Sequence, residues 1–175
     1  NMTASYILMN DIDLTSATAE GGDWDFEGRG WNPIGSDDIY AADKTFSGIF
    51  DGNGHSIIGM QIRTEPLPGS SVPYVGLFSN ISGEVKNLNL EDCNVSGSSV
   101  GILAAMNSGT ITNCTVSGEI SGIYAGGLFV RNTGIIFNCC SFANINACSY
   151  PVGSDQYTPR SISTTGGLAA YNVCD

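Results

Sequence analysis

A Gly-apolar-apolar triplet returns four times along this chain, as Gly76-Leu77-Phe78, Gly101-Ile102-Leu103, Gly127-Leu128-Phe129 and Gly167-Leu168-Ala169. The first three copies are 101−76 = 25 and 127−101 = 26 residues apart. A period of about 20 to 50 residues marks stacked-repeat architectures, in which a short unit buries its apolar face only against its neighbours. The period therefore constrains the shape of the molecule strongly, while naming neither a ligand nor a reaction.

About ten residues after each triplet comes a second block: Val85-Lys86-Asn87-Leu88-Asn89-Leu90, Ile111-Thr112-Asn113-Cys114-Thr115-Val116 and Ile136-Phe137-Asn138-Cys139-Cys140-Ser141. Asn87, Asn113 and Asn138 fall in register, at 113−87 = 26 and 138−113 = 25. An earlier, degenerate copy is expected at Gly48-Ile49-Phe50, with Gly59 of Ile57-Ile58-Gly59-Met60-Gln61-Ile62 in the Asn position. Gly-rich links separate the blocks at Asp51-Gly52-Asn53-Gly54, Ser82-Gly83, Ser108-Gly109 and Thr133-Gly134. Each unit reads as short strand, turn, short strand, turn, with visible apolar-polar alternation. The chain holds 23 Gly, where average usage gives roughly 12, consistent with many tight turns. No amphipathic helix of useful length is present.

The expected fold is all-β, a parallel β-helix or solenoid of about four to five coils, three-sided, with about 25 residues per coil. Residues 1–47 differ in composition, carry both tryptophans, and are expected to form an N-terminal cap or irregular first coil. Within them Tyr6 to Leu14 alternates like a strand. Residues 48–175 are expected to hold the repeats as one continuous domain. Two insertions interrupt the rhythm. Arg63 to Pro73 contains three prolines, and Ala143 to Thr165 stretches the last interval to 167−127 = 40 residues. Insertions in repeat proteins map to loops, often on one binding face. The chain opens on Asn1-Met2-Thr3 and closes just after a triplet, so it is expected to be a piece of a longer protein.

Charged residues make up only 13% of the chain, with 17 acids against 6 bases and a formal net charge of −11. Nucleic acid is disfavoured as a partner, because phosphate binding needs clustered Lys and Arg. Anionic membrane surfaces are disfavoured for the same reason, and no apolar run long enough for a spanning helix occurs. The acidity fits solubility of a secreted or surface protein, with weakly bound calcium as the alternative.

Several residues invite a functional reading. Asn87, Asn113 and Asn138 fit a stacked ladder at αL turns, or a ligand-binding row if their side chains face solvent. Cys114 and Cys139 share the slot that Leu88 fills, which suggests buried thiols. The full set of Cys93, Cys114, Cys139, Cys140, Cys148 and Cys174 equally permits a disulfide. No Cys-x-x-Cys spacing supports zinc. His55 follows a tight turn, with no Gly-x-Ser-x-Gly to support a hydrolytic triad. Asp11, Asp13, Asp37, Asp38, Asp43, Asp51, Glu91 and Asp92 sit near turns without calcium-loop spacing. Asn1, Asn80, Asn94 and Asn113 head Asn-x-Ser/Thr triplets, which Asn- and Ser-rich turns produce by chance. Trp24, Trp31, Tyr40 and Tyr74 suit either packing of the cap or an aromatic sugar platform.

The strings Gly126-Gly127-Leu128-Phe129 and Gly166-Gly167-Leu168-Ala169-Ala170-Tyr171-Asn172 resemble the GLUG repeat of bacterial cell-surface proteins. Asn10 to Leu14, Trp31 to Gly35 and Phe46 to Ile57 look like the segment that precedes such repeats, so the resemblance covers nearly the whole chain. The closing Gly of the motif is replaced here by Ser79, Ala104, Val130 and Ala170. The resemblance implies a secreted or cell-surface protein with a non-catalytic β-helical module serving adhesion or display. Its partner would be a host or cell-surface protein or a glycan, and the repeat itself would hold no cofactor. The parent protein is free to carry a catalytic domain elsewhere. The alternatives are an accessory region of a surface metallopeptidase, of the kind that cleaves immunoglobulin A, and a carbohydrate-binding or carbohydrate-active β-helix.

Overall fold

A computed structural model of the chain describes residues 1–35, 44–64, 74–147 and 164–172. They form a parallel β-helix of five coils stacked along one axis. The first coil holds β1 (Ser5–Ile7) and β2 (Ile12–Asp13) and continues through Ile34 and Phe46. The second holds β3 (Ile49–Asp51), β4 (Ser56–Ile58), β5 (Gln61–Arg63), β6 (Tyr74–Val75) and β7 (Phe78–Ile81). The third holds β8 (Glu84–Lys86), β9 (Asn89–Gly101) and β10 (Ala104–Asn107), and the fourth β11 (Thr110–Thr112), β12 (Thr115–Gly126) and β13 (Phe129–Asn132). The fifth holds β14 (Ile135–Phe137), β15 (Cys140–Ala147), β16 (Thr164–Gly166) and β17 (Ala169–Asn172).

Three parallel sheets form the sides. The first runs β1-β3-β8-β11-β14 and the third β7-β10-β13-β17. The second runs β2-β4-β9-β12-β15, with β5 and β6 also on β9 and β16 on β12. The long β9 and β12 bend within this second side, where the second coil uses three shorter strands instead.

Register turns sequence alternation into columns. Phe50, Val85, Ile111 and Ile136 stack inward on the first side. Ile62, Val95, Ile120 and Ile145 do so on the second. Ile34, Phe78, Ala104 and Phe129 do so on the third. Each coil alone is too short to be stable, and burial of about 1.5–3 kcal/mol per large apolar side chain is realised only between coils. At the N-terminal end the core is aromatic, with Phe46 5.0 Å from Phe78 and Phe50 edge-on to Phe78 at 5.6 Å.

The corners are set by backbone geometry. Asn87, Asn113 and Asn138 all adopt the left-handed region, at φ of 52°, 53° and 50°. Asn tolerates that region because its short side chain bonds locally. Their amides form a directed ladder: Asn138 Nδ2 donates to Asn113 Oδ1 at 2.8 Å, Asn113 to Asn87 at 3.0 Å, and Asn87 to the Asp51 carboxylate at 3.0 Å. The Asn87 bond is the main cause that holds the Asp51 carboxyl below its usual value. At another corner Gly48, Gly83, Gly109 and Gly134 stack so closely that a Cβ on each would strike the carbonyl oxygen of the coil before it.

Register corrects several expectations. Gly48-Ile49-Phe50 is no copy of the Gly-Leu-Phe triplet, because Ile49 pairs with Glu84 and so matches the next corner. Gly59 lies between Ile58, paired with Glu91, and Gln61, paired with Asn94, so it matches Asp92 rather than Asn87. Both are left-handed, at φ of 70° and 51°, which explains why the two corners look alike in sequence. Gly101 pairs with Gly126, not Gly127, and Ala104 pairs with Phe129, so the third coil carries its triplet one residue out of step. The slot read as the closing Gly is accordingly Ser79, Ala105 and Val130, all buried. The stretch from Tyr6 to Leu14 is two strands and a turn rather than one strand. Ala143 to Ala147 belong to β15, so the extra chain of the last coil is residues 148–163, which lie outside the described residues. Residues 65–73 of the proline-rich insertion lie outside them as well.

Candidate functional site

The first coil leaves the regular path between Thr15 and Trp31, and this excursion builds the most distinctive surface among the described residues. It docks on β5 by antiparallel pairing, an exception in an otherwise parallel stack, through the bridge of Gly30 with Ile62. Trp31 N–H donates to Gln61 O at 2.8 Å, and Arg63 N–H to Arg29 O at 2.7 Å. Gly30 has φ of 82°, and a Cβ there would lie 2.2 Å from Gln61 O, so only glycine allows this approach. Thr18 is fully buried, donating from Oγ1 to Leu14 O and accepting from Gln61 N–H.

Asp25 clips the excursion shut. Its carboxylate accepts the Gly21 and Gly30 N–H groups at 2.8 and 2.7 Å and the Arg63 guanidinium at 2.9 Å. The Asp25 side chain is only 6% exposed. The two backbone donors, reinforced by the Arg63 charge, hold its carboxyl below the usual 3.8. A carboxyl with a depressed folded-state pKa stabilises fully above its unfolded value, and that contribution is lost as pH falls through the folded one. Acidification below pH 3.8 is therefore expected to loosen the excursion, read as a shift in tryptophan emission. Asp25→Asn is expected to show that shift already at neutral pH. An emission spectrum unchanged from pH 5 to 2 would contradict this role.

The clip positions an open cleft of about 350 Å³ lined by Asp23, Trp24, Asp25, Phe26, Glu27, Trp31 and Asn32. The rings of Trp24 and Trp31 lie 5.9 Å apart, tilted by 51°. Their roles differ. Trp31 packs on the core, and its indole N–H donates to Leu77 O at 3.2 Å. Trp24 is 52% exposed and Phe26 46%, so they offer apolar faces to solvent. The Arg29 guanidinium sits 5.8 Å from the Phe26 ring centre and pairs with Glu27. Of the aromatics singled out in the sequence, Trp24 and Trp31 come together. Tyr74 lies on β6 and Tyr40 outside the described residues.

The other candidates resolve as follows. The Asn ladder is bonded within itself along the stack. Cys93 and Cys114 are buried free thiols, Cys139 is half-buried and Cys140 exposed, while Cys148 and Cys174 lie outside the described residues. Burial pushes the Cys93 thiol up to about 12. His55 Nδ1 meets Asp11 Oδ1 at 3.1 Å, but Ser56 Oγ donates to Glu91 Oε1 at 2.6 Å, so serine and histidine are not arranged as nucleophile and base. Among the described residues no three His, Cys, Asp or Glu side chains converge as a metal site, and no helix is long and apolar enough to cross a membrane. Asp37, Asp38 and Asp43 lie outside the described residues.

Sequence reasoning missed a second, buried pair. Asn107 Nδ2 donates to Asn132 Oδ1 at 2.7 Å, and each amide also bonds the next glycine corner. The identical Asn-x-Gly spacing in Asn107-Ser108-Gly109 and Asn132-Thr133-Gly134 was the available signal.

No family model and no solved structure matches the chain. The chain is similar to Halomucin from Haloquadratum walsbyi, at 38% identity over 120 residues that make up 67% of this chain and 1% of Halomucin.

Proposed function

We propose that this chain is a non-catalytic β-solenoid module of a secreted or surface-anchored protein, serving adhesion or display. Its partner is a glycan captured at the cleft of Trp24, Phe26 and Trp31. The exposed Trp24 ring, propped on an anchored Trp31 beside Asp23 and Asn32, carries this reading. Sugar rings present flat C–H faces to aromatic planes and hydroxyls to carboxylates and amides, and this cleft offers both kinds of surface. Asp23, Asp25 and Glu27 line it in a chain of net charge −11, which repels uronate-rich or sulfated glycans and favours neutral or amine-bearing sugars. The partial likeness to Halomucin is consistent with a cell-surface setting. Within the same reading the coils are GLUG-type repeats, supported by the in-register Gly-Gly-Leu of the fourth and fifth coils.

Binding to an array of neutral, amino and acidic glycans tests the proposal. Neutral or amino sugars are expected to bind, and Trp24→Ala to weaken binding about tenfold, the worth of one aromatic stacking contact. Trp24 is 52% exposed, so the variant is expected to keep the wild-type circular dichroism. An array without binders, or a Trp24→Ala protein that binds unchanged, overturns the glycan assignment.

A further inference from the structure

Cys114 and Cys139 stand one above the other. Thr112 pairs with Phe137 and Thr115 with Cys140, so the residues between them fall at the same step of adjacent coils. Each follows a left-handed asparagine, Asn113 or Asn138, and this shared geometry turns both side chains inward. The sulfurs adopt matching poses. Cys114 Sγ donates to Thr112 O at 3.3 Å and reaches Val85 O at 3.9 Å, while Cys139 Sγ donates to Phe137 O at 3.3 Å and reaches Ile111 O at 3.7 Å. Adjacent parallel strands lie about 4.8 Å apart, within the range of about 4.4–6.8 Å that disulfides span between Cα atoms.

We propose that Cys139 and Cys114 are a thiol–disulfide exchange pair, which closes a disulfide between the fourth and fifth coils on meeting a low-molecular-weight disulfide such as glutathione disulfide. The half-buried Cys139 attacks as thiolate at one sulfur of the small disulfide. That S–S bond breaks, a mixed disulfide forms on Cys139, and one small thiolate leaves and takes up a proton from water. Cys114 then yields its proton to solvent and attacks Cys139 Sγ, and the second small thiolate leaves. Two protein thiols are oxidised by two electrons, and one small disulfide is reduced to two thiols. Closure gives up only the weak S–H to carbonyl bonds of the two thiols.

The division of roles follows from the surroundings. The neighbouring Cys114 thiol, able to turn its S–H toward a Cys139 thiolate, lowers the Cys139 pKa, while Cys139 and burial raise that of Cys114. Thiolate character governs attack on a disulfide. Cys140 is exposed in the outward row of Thr115 and Asn89, since successive strand residues face opposite ways. Cys93 is enclosed in the core.

The test incubates the chain with glutathione disulfide, alkylates remaining thiols in denaturant, and maps the peptides by mass spectrometry. The expected product links Cys114 to Cys139 and leaves Cys93 alkylated. The linked protein melts several degrees above the reduced one, because the new bond closes a loop of 139−114 = 25 residues. Cys114→Ala, checked for folding by circular dichroism, is expected to stop at a glutathione adduct on Cys139. The proposal fails if the wild-type chain stops at that adduct, or if Cys139 joins Cys140, Cys148 or Cys174 instead.

Discussion

Leu128→Asp is expected to abolish the cooperative melting transition of this protein. Leu128 is fully buried in the slot shared with Leu77 and Leu103, one step before the paired column of Phe78, Ala104 and Phe129. Its carbonyl accepts from Leu103 and Ala104, and its N–H donates to Leu168 O at 2.9 Å, so three coils meet at this residue. The substitution removes about 2–3 kcal/mol of apolar burial and places an unpaired carboxylate where nothing solvates it. The combined loss, about 5 kcal/mol or more, is comparable to the whole stability of an ordinary domain. Leu128→Ala leaves only a cavity and is expected to lose about 2–5 kcal/mol with the transition intact. Urea melts followed by circular dichroism separate the three proteins. A Leu128→Asp chain that melts like wild type would show that Leu128 does not face the core.

The second large effect lies at a corner rather than in the core. Gly109→Ala is expected to cost about 3 kcal/mol, because its Cβ would sit 2.0 Å from Gly83 O. The neighbouring bonds, Thr110 N–H to Gly83 O and Ile135 N–H to Gly109 O, both at 2.9 Å, fix the separation of three coils at this point. Relief of the clash therefore stretches a ladder and not one side chain. Gly54→Ala is the contrasting case. Gly54 has φ of 80° and open space around it, so alanine there carries only the left-handed backbone penalty of about 1–2 kcal/mol. Equal melting temperatures for the two variants would mean that coil spacing at the glycine column is not the limiting constraint.

These two residues show what the sequence exposes and what it hides. Gly109 and the Asn87, Asn113 and Asn138 row are legible because a close approach or a left-handed φ admits very few residue types. The period survives there in letters. Inward apolar positions are less legible, since Leu, Ile, Val, Phe, Ala and Cys all fill a column. That tolerance let the third-coil triplet slip by one residue, and let Gly48-Ile49-Phe50 pass for a corner it does not occupy. The cleft was half legible. Trp24 and Trp31 were recognisable as candidates, but their meeting depends on Gly30 pairing antiparallel with Ile62, a long-range contact with no local pattern. The outward apolar residues of the fifth coil, Ile135 at 64% and Phe137 at 68% exposure, were not legible at all. They stand where earlier coils carry Thr110, Glu84, Thr112 and Lys86, and alternation alone does not say which face of so short a strand points out.

The parallel register of all three sheets also has a mechanical meaning. Every ladder hydrogen bond points along the stack, so tension between the two ends peels a terminal coil open bond by bond and never loads a whole row in shear. Such a molecule is expected to yield to force coil by coil. Each coil of 126−101 = 25 residues lengthens the tether by about 80 Å as it leaves the stack. The extension available to a stack built this way grows with the number of its coils.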